Sequence, residues 1–325
     1  MSASVDACPG CGASAAAADN FCERCGLELT AAQVSAGSAV ATACGSCGSS
    51  AMTADGYCEQ CGHKAPTGRD HVEIDLGSLA GITDRGRRHH RNEDAMALAI
   101  THTPAGPATL AVVCDGVSTS HRPDEASLAA AEEALRVLTA EVRAGTSSID
   151  AMAAAAVAAQ KAVSAIAPES ANAPATTIVC ACVTADAVTI GWVGDSRAYW
   201  LPADDSDARL LTRDDSIGAE LVAVGVLTET DAVESSQGHV LTRWLGADAE
   251  QGEPHSASFA PSGPGAVLLC SDGLWNYEPS AAGLAELAPS ARANLGGAAA
   301  RLVKFALDCG GEDNITAVLA PFPPK

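Results

Sequence analysis

Three short segments each set a carboxylate at the edge of an apolar run: Val113-Cys114-Asp115-Gly116, Leu268-Leu269-Cys270-Ser271-Asp272-Gly273 and Gly311-Glu312-Asp313-Asn314-Ile315-Thr316. A fourth acidic point, Asn92-Glu93-Asp94, lies upstream. Hard cations such as Mg²⁺ and Mn²⁺ take oxygen ligands, and carboxylates on rigid strand ends supply them with little loop entropy. Taken singly, Asp115-Gly116 and Asp272-Gly273 read as turns, Asn314 as a cap and Asp195 as a turn acid paired with Arg197. Their joint order is what points to metal chemistry. The chain has no CxxxxxR phosphatase loop, no GxxxxGK[ST] phosphate loop and no HExxH pair.

A second constellation is built on sulfur. Cys8 and Cys11 are followed by Cys22 and Cys25; Cys44 and Cys47 are followed by Cys58 and Cys61. Ten residues separate the pairs in both copies, and all four positions repeat with a period of 36. Asp19-Asn20-Phe21-Cys22-Glu23 echoes Asp55-Gly56-Tyr57-Cys58-Glu59, and a Gly follows the second Cys of every pair. Two such knuckles bring four thiolates into a tetrahedron that suits Zn²⁺. The expectation is two structural zinc ribbons of four cysteines each, with paired disulfides or an iron site as rival readings. Each ribbon is too small to fold on apolar burial, so metal binding would drive its folding. No ligand position is left open for catalysis.

Composition narrows the function classes. The 325 residues carry a net charge of −21, which argues against a nucleic-acid partner, since a polyanion would be repelled. The ribbon end is acidic as well, with three Lys/Arg against nine Asp/Glu in residues 1–76. That leaves a protein partner, or a structural cap, as the role of the ribbons. Hydrophobic residues make up 47% but aromatics only 3%, so the core must be Ala, Val, Leu and Ile. Residues 1–30 hold no signal-peptide apolar region and no run of eighteen apolar residues occurs. A cytoplasmic protein with no membrane span is expected, and a reducing compartment suits thiolate ligands. Cys114, Cys180, Cys182, Cys270 and Cys309 read as small core residues.

The elements that must position these groups follow from periodicity. Ala108 to Cys114 is apolar nearly throughout, as a buried strand should be. Thr176–Thr184 and Ala187–Val193 read as a β-branched hairpin; Arg197–Leu201 and Ala266–Cys270 are further strands. Leu128, Ala131, Leu135, Leu138 and Val142 mark a helix capped by Asp124 and stopped by Gly145. A second helix covers Met152 to Ile166, and a third Ala291 to Leu307, weakened by Gly296-Gly297. Ala31 to Ala43 reads as the connection between ribbons, and Gly62 to Leu76 as a second linker. The expected organisation is a double ribbon at 1–64, a linker at 65–76 and one α+β layered domain at 77–325.

From Thr83 to Thr316 the chain resembles the metal-dependent Ser/Thr protein phosphatases of type 2C, in their bacterial form. The resemblance runs in order through Thr83-Asp84-Arg85-Gly86, Arg91-Asn92-Glu93-Asp94, Asp115-Gly116 and Ala175-Thr176-Thr177. It continues through Val193-Gly194-Asp195-Ser196-Arg197, Leu211-Thr212-Arg213-Asp214 and Leu241-Thr242-Arg243-Trp244-Leu245-Gly246. It ends with Ser271-Asp272-Gly273-Leu274-Trp275 and Asp313-Asn314-Ile315-Thr316. It implies a β-sandwich of two antiparallel sheets flanked by helix pairs, with a dinuclear Mn²⁺ or Mg²⁺ cleft at one end. On that resemblance Asp115 bridges both metals, Asp272 and Asp313 complete the first site, and Glu93 and the Gly116 carbonyl serve the second. Asp195 with Asp272 would hold a third, weaker metal, and Asp94 is a supporting acid. The implied activity is hydrolysis of phosphoserine and phosphothreonine in proteins, the products of a Ser/Thr kinase, by a metal-activated water.

Three departures from the family pattern stand out. The phosphate-gripping Arg, four residues before Glu93, is replaced by His89 within Arg87-Arg88-His89-His90-Arg91. Arg88 or Arg91 is then the candidate for the phosphate, with His89 able to donate a proton, against a merely solvated basic turn. The residue after Gly116 is Val117, neither the His of eukaryotic relatives nor the Met of bacterial ones, which leaves the leaving-group acid unassigned. The family's Asp-His-Ser reads Asp214-Asp215-Ser216, and Ile217 to His239 would form the flap beside the site. The competing reading is a catalytically weak scaffold that binds phosphoproteins through the cleft and partners through the ribbons.

Overall fold

The computed structural model describes residues 68–167, 172–203, 208–235, 237–249, 252–289 and 291–324, with shorter pieces at 6–7, 13–15, 21–25, 31–35, 49–51, 53 and 58–62. The strands are β1 (Asp6–Ala7), β2 (Ser14–Ala15), β3 (Ala31–Val34), β4 (His71–Asp75), β5 (Ala80–Asp84), β6 (Ala95–Thr103), β7 (Gly106–Cys114) and β8 (Ala175–Thr176). They continue with β9 (Ile178–Val183), β10 (Val188–Val193), β11 (Arg197–Pro202), β12 (Arg209–Leu210), β13 (Leu245–Gly246), β14 (His255–Phe259), β15 (Gly265–Cys270) and β16 (Ile315–Phe322). The helices are α1 (Pro123–Arg143), α2 (Ser148–Ile166), α3 (Ile217–Ala223), α4 (Glu229–Glu234), α5 (Asp272–Trp275), α6 (Ala281–Leu287) and α7 (Leu295–Cys309).

Two six-stranded antiparallel sheets form the frame, in the orders β14-β10-β9-β7-β6-β3 and β12-β11-β15-β16-β5-β4. Period-2 alternation assigns each strand residue to a layer. In β6, Met96 and Leu98 point into the space between the sheets, while Ala95, Ala97 and Ala99 face the helices. In β15, Val267 and Leu269 face inward and Ala266, Leu268 and Cys270 face the other helix layer. α1 and α2 cover the first sheet; α5, α6 and α7 cover the second. The fold is the expected β-sandwich flanked by helix pairs. By length and composition α2 could also cross a membrane, but its Ala151, Met152, Ala155, Ala159 and Val163 face is buried on α1 and the first sheet.

Several local expectations are corrected. Asp124 does not cap α1: Pro123 takes the first helical position after a left-handed Arg122 (φ 56°), and Asp124 and Glu125 face the helix dipole from the first turn. α2 starts four residues before Met152, because the Ser147 side chain accepts from the Asp150 N–H. α7 starts at Leu295, after Asn294, whose side chain accepts from the Gly297 N–H. A Cβ on Gly297 would lie 2.3 Å from the Asn294 side chain, so this glycine makes room for the cap. Residues 31–34 and 71–75, read as linkers, are the edge strands β3 and β4. Edge strands with one solvated face carry little hydrophobic pattern, and backbone pairing holds them.

Candidate metal centre

The acidic residues converge where strand ends from both sheets meet. Asp115 follows β7; its N–H donates to Thr177 Oγ1 at 3.2 Å, and its carbonyl accepts from Thr177 N–H (2.8 Å) and Thr176 Oγ1 (2.7 Å). Asp272 opens α5 directly after β15 and Ser271, and its carboxyl group lies beside that of Asp115. Asp313 precedes β16, with its Oδ1 accepting from the Asn314 N–H at 2.7 Å. Asp195 sits in the β10–β11 turn, where the Trp275 indole donates to its carbonyl at 3.0 Å. Asp94 is buried just before β6 and accepts from Ser271 Oγ and Thr316 Oγ1, both at 2.7 Å.

Glycine at 116 is a steric requirement. A Cβ there would lie 2.5 Å from the Pro123 carbonyl oxygen and 2.7 Å from that of Glu93. The Gly116 N–H donates to the same Glu93 carbonyl at 3.2 Å, which ties the second acidic point to the first.

Burial and crowding make this cluster hostile to its own charge. Burial, and then the neighbouring Asp94, Asp272, Asp313 and Asp195, push Asp115 well above the ordinary carboxylate range. Asp195 is driven well up by burial and by Asp272 and Asp214. Burial and Asp313 raise Asp272 to about 6. Asp94 rises to about 7, mainly through burial, against the opposing hydroxyls of Ser271 and Thr316. Among the described residues no Lys or Arg forms an ion pair with Asp115, Asp195 or Asp272, and Asp94 Oδ1 is buried without a hydrogen-bond partner. Divalent cations are the groups that would neutralise such a set. Among the described residues no three donors close into a ready-made cage.

A protein-family model described as protein phosphatase 2C matches residues 83–305, more than half of the chain. The chain belongs to the protein phosphatase 2C family. A double zinc ribbon model matches residues 8–62. The serine/threonine phosphatase Stp of Listeria innocua is 37% identical over 149 residues, covering 46% of this chain and 57% of the relative. The phosphatase PstP of Mycobacterium tuberculosis is 32% identical over 39% of this chain and 24% of its own. The chain thus spans little more than half the length of the curated Listeria relatives it matches. In structure, Stp1 of Staphylococcus aureus superposes with a TM-score of 0.65 at 26% identity, over 77% of this chain and 97% of that one. The catalytic domain of PstP solved with two manganese ions gives 0.59 at 25% identity, over 74% and 96%.

Within this phosphatase 2C domain the motif residues fall in two groups. Asp94, Asp115, Asp195, Asp272 and Asp313 share one electrostatic cluster. Glu93 stands beside it, accepting from Ser118 Oγ (2.6 Å) and Arg91 Nε (2.9 Å). His89 Nε2 is 3.1 Å from Asp313 Oδ1, so the segment that departs from the family pattern reaches the cluster. Arg88 lies further out, paired with the exposed Glu312 at 2.7 Å, whereas Arg91 also reaches Asp124 at 3.3 Å. Asp195 does not pair with Arg197, which instead binds Asp214 at 2.8 Å and lies 3.7 Å over the Trp275 ring. Asn314 is more than a cap: its side chain accepts from the Glu93 N–H at 2.7 Å and donates to the carbonyls of Arg85 and Arg91.

Sequence reasoning missed several supports. Arg69 donates to the carbonyls of Asp94 (2.9 Å) and Asp124 (2.8 Å) from a stretch read as linker. Asp215 Oδ2 accepts from the Gly194 N–H (2.9 Å), and its Oδ1 is 2.8 Å from His255 Nε2. An imidazole from β14 therefore stands beside the Asp215 carboxylate and the turn that carries Asp195. Ser271 and Thr316 carried a signal, since each lies within an acidic segment at a strand end. Arg69 and His255 carried none.

In the ribbon region, Cys22 and Cys58 are buried and Cys25 and Cys61 are exposed. A positive φ of 72° at Gly62 closes the second knuckle, as its N–H donates to the Cys58 carbonyl at 2.8 Å. Cys8, Cys11, Cys44 and Cys47 lie outside the described residues.

Proposed function

We propose that this chain is a Mn²⁺/Mg²⁺-dependent protein serine/threonine phosphatase acting at a dinuclear site. The observation that carries this reading is the buried carboxylate cluster with no cationic side chain paired to Asp115, Asp195 or Asp272 among the described residues. Asp115 would bridge the two ions, Asp272 and Asp313 would serve one, Glu93 and the Gly116 carbonyl the other, and Asp195 with Asp272 a weaker third. Ions held there would supply an activated water and neutralise the phosphoryl oxygens for in-line attack.

The chain's own residues do the rest. Thr176 and Thr177 fix the Asp115 backbone. Asn314 and Ser118 hold Glu93. Arg88, His89 and Arg91 form a basic rim in an acidic protein, suited to steering a phosphate, with His89 Nε2 3.1 Å from Asp313 Oδ1 as the candidate proton donor. A cleft of about 680 Å³ runs from Asp195 beneath α3 and α4, lined by Arg197, Val222, His239 and Trp275. It would take side chains flanking the phosphorylated residue. The ribbons, each holding one structural Zn²⁺, would recruit a protein partner, in a reducing compartment such as the cytoplasm.

The test is hydrolysis of a phosphothreonine peptide by the full chain with Mn²⁺. Turnover abolished by chelation and by Asp115→Asn and Asp272→Asn is the expected result. A folded, metal-loaded protein without turnover would favour the phosphoprotein-binding scaffold instead.

A further inference from the structure

The segment joining the ribbons has no strand signal, yet Ala31–Val34 lies along β6 as β3, with Ala31 opposite Ile100, Gln33 opposite Leu98 and Val34 opposite Ala97. Ser35 continues the ladder. Its N–H donates to the Met96 carbonyl at 2.9 Å, and its hydroxyl accepts from the Met96 N–H at 2.9 Å. Ser35 is buried, and Val34 packs against the core beneath α1 and α2. Antiparallel ladders alternate which residues point to which neighbour. Because Met96 bonds Ser35, the N–H groups of Leu98 and Ile100 also point to β3, while those of Ala97 and Ala99 point to β7. Without β3, that row of N–H and carbonyl groups would be an open sheet edge, ready to take any extended chain. The docked end lies two residues from Asp94.

We propose that residues 31–35 are a strap that seats the ribbon pair on the phosphatase domain by occupying the open edge of β6. It is strand addition within one chain: main-chain bonds supply the attachment, and Val34 and Ser35 fix the register. The chain toward the second ribbon then leaves from Ser35, beside the strand end that carries Glu93 and Asp94, and the chain toward the first leaves from Ala31, opposite Ile100, so neither starts from a free tether. The strap does not depend on the proposed activity.

Residue-resolved amide exchange on the full chain tests this. Gln33 lies on the pairing side, so Gln33→Pro deletes a ladder donor. The Ala32 N–H faces away from β6, so Ala32→Pro should be tolerated as an edge proline. In Gln33→Pro the amides of Met96, Leu98 and Ile100 should exchange roughly tenfold faster or more, with Ala97 and Ala99 unchanged as the sign of an intact domain. Ala32→Pro should leave all five as in the wild type. The milder Ser35→Ala should speed the Met96 amide alone. Unchanged Leu98 and Ile100 amides in Gln33→Pro, equal loss in both proline variants, or an unchanged Met96 amide in Ser35→Ala would each overturn the strap.

Discussion

The acidic residues of the centre are stable neighbours only while something cancels their charge. Burial raises the folded-state values of Asp272 to about 6 and Asp94 to about 7. A carboxyl raised on folding binds its proton more tightly in the native state, so metal-free stability falls as pH climbs from the ordinary carboxylate range through those values. In chelator, Asp272→Asn should therefore melt above wild type at pH 7.5, with the gap closing toward pH 5, where Asp272 is itself neutral. Thermal melts across that range check it; a wild type that melts higher in chelator at pH 7.5 would contradict it. The Gly194–Asp195 turn gives a second prediction. Asp215 holds the Gly194 N–H and faces His255, so Asp215→Ala should weaken Mn²⁺ binding in calorimetric titration more than His255→Ala. At this scale the convergence of Asp115, Asp272 and Asp313 was legible, because each motif is contiguous and lies at a strand end. Arg69 and His255 were not, because each meets its partner 25 or 40 residues away with no local pattern to announce it.

On the proposed function, the elements over the cleft would decide which substrates reach the carboxylates. α3 and α4 line the cleft beside Asp195, and position 218 calls for glycine because a Cβ there would lie 2.8 Å from the Gly238 carbonyl oxygen. Ala219 lines that cleft. Ala219→Trp should fill it and lower kcat/KM on phosphopeptides by about tenfold, roughly 1.4 kcal/mol of transition-state binding. A small aryl phosphate should be hydrolysed as before; equal losses on both substrates, read by steady-state kinetics, would refute the assignment. The central strands and three of the helices were legible from periods of 2 and 3.6, since their side chains are sorted by burial. Helix starts were displaced by caps from Ser147 and Asn294. β3 and β4 escaped notice because sheet edges are held by backbone bonds that leave no mark on side-chain pattern.

The molecule as a whole packs small side chains tightly and carries much negative charge. Aromatics are 3% of the chain, so the layers rely on Ala, Val and Leu, and a cavity in them has few large neighbours to fill it. Leu268, wholly buried beneath α6 and α7, should cost about 2–5 kcal/mol when cut to Ala, measured by denaturant unfolding. The charge of −21 repels itself at low ionic strength, and the centre adds its share. The central proposal is that the buried carboxylates hold two divalent ions through Asp115. The most direct measurement is Mn²⁺ bound per folded chain, by equilibrium dialysis with paramagnetic resonance, in wild type and Asp115→Asn. Two tightly held ions in the wild type, both weakened in the variant, are predicted. A folded wild type that binds no Mn²⁺, or a variant that binds it equally well, would contradict the account.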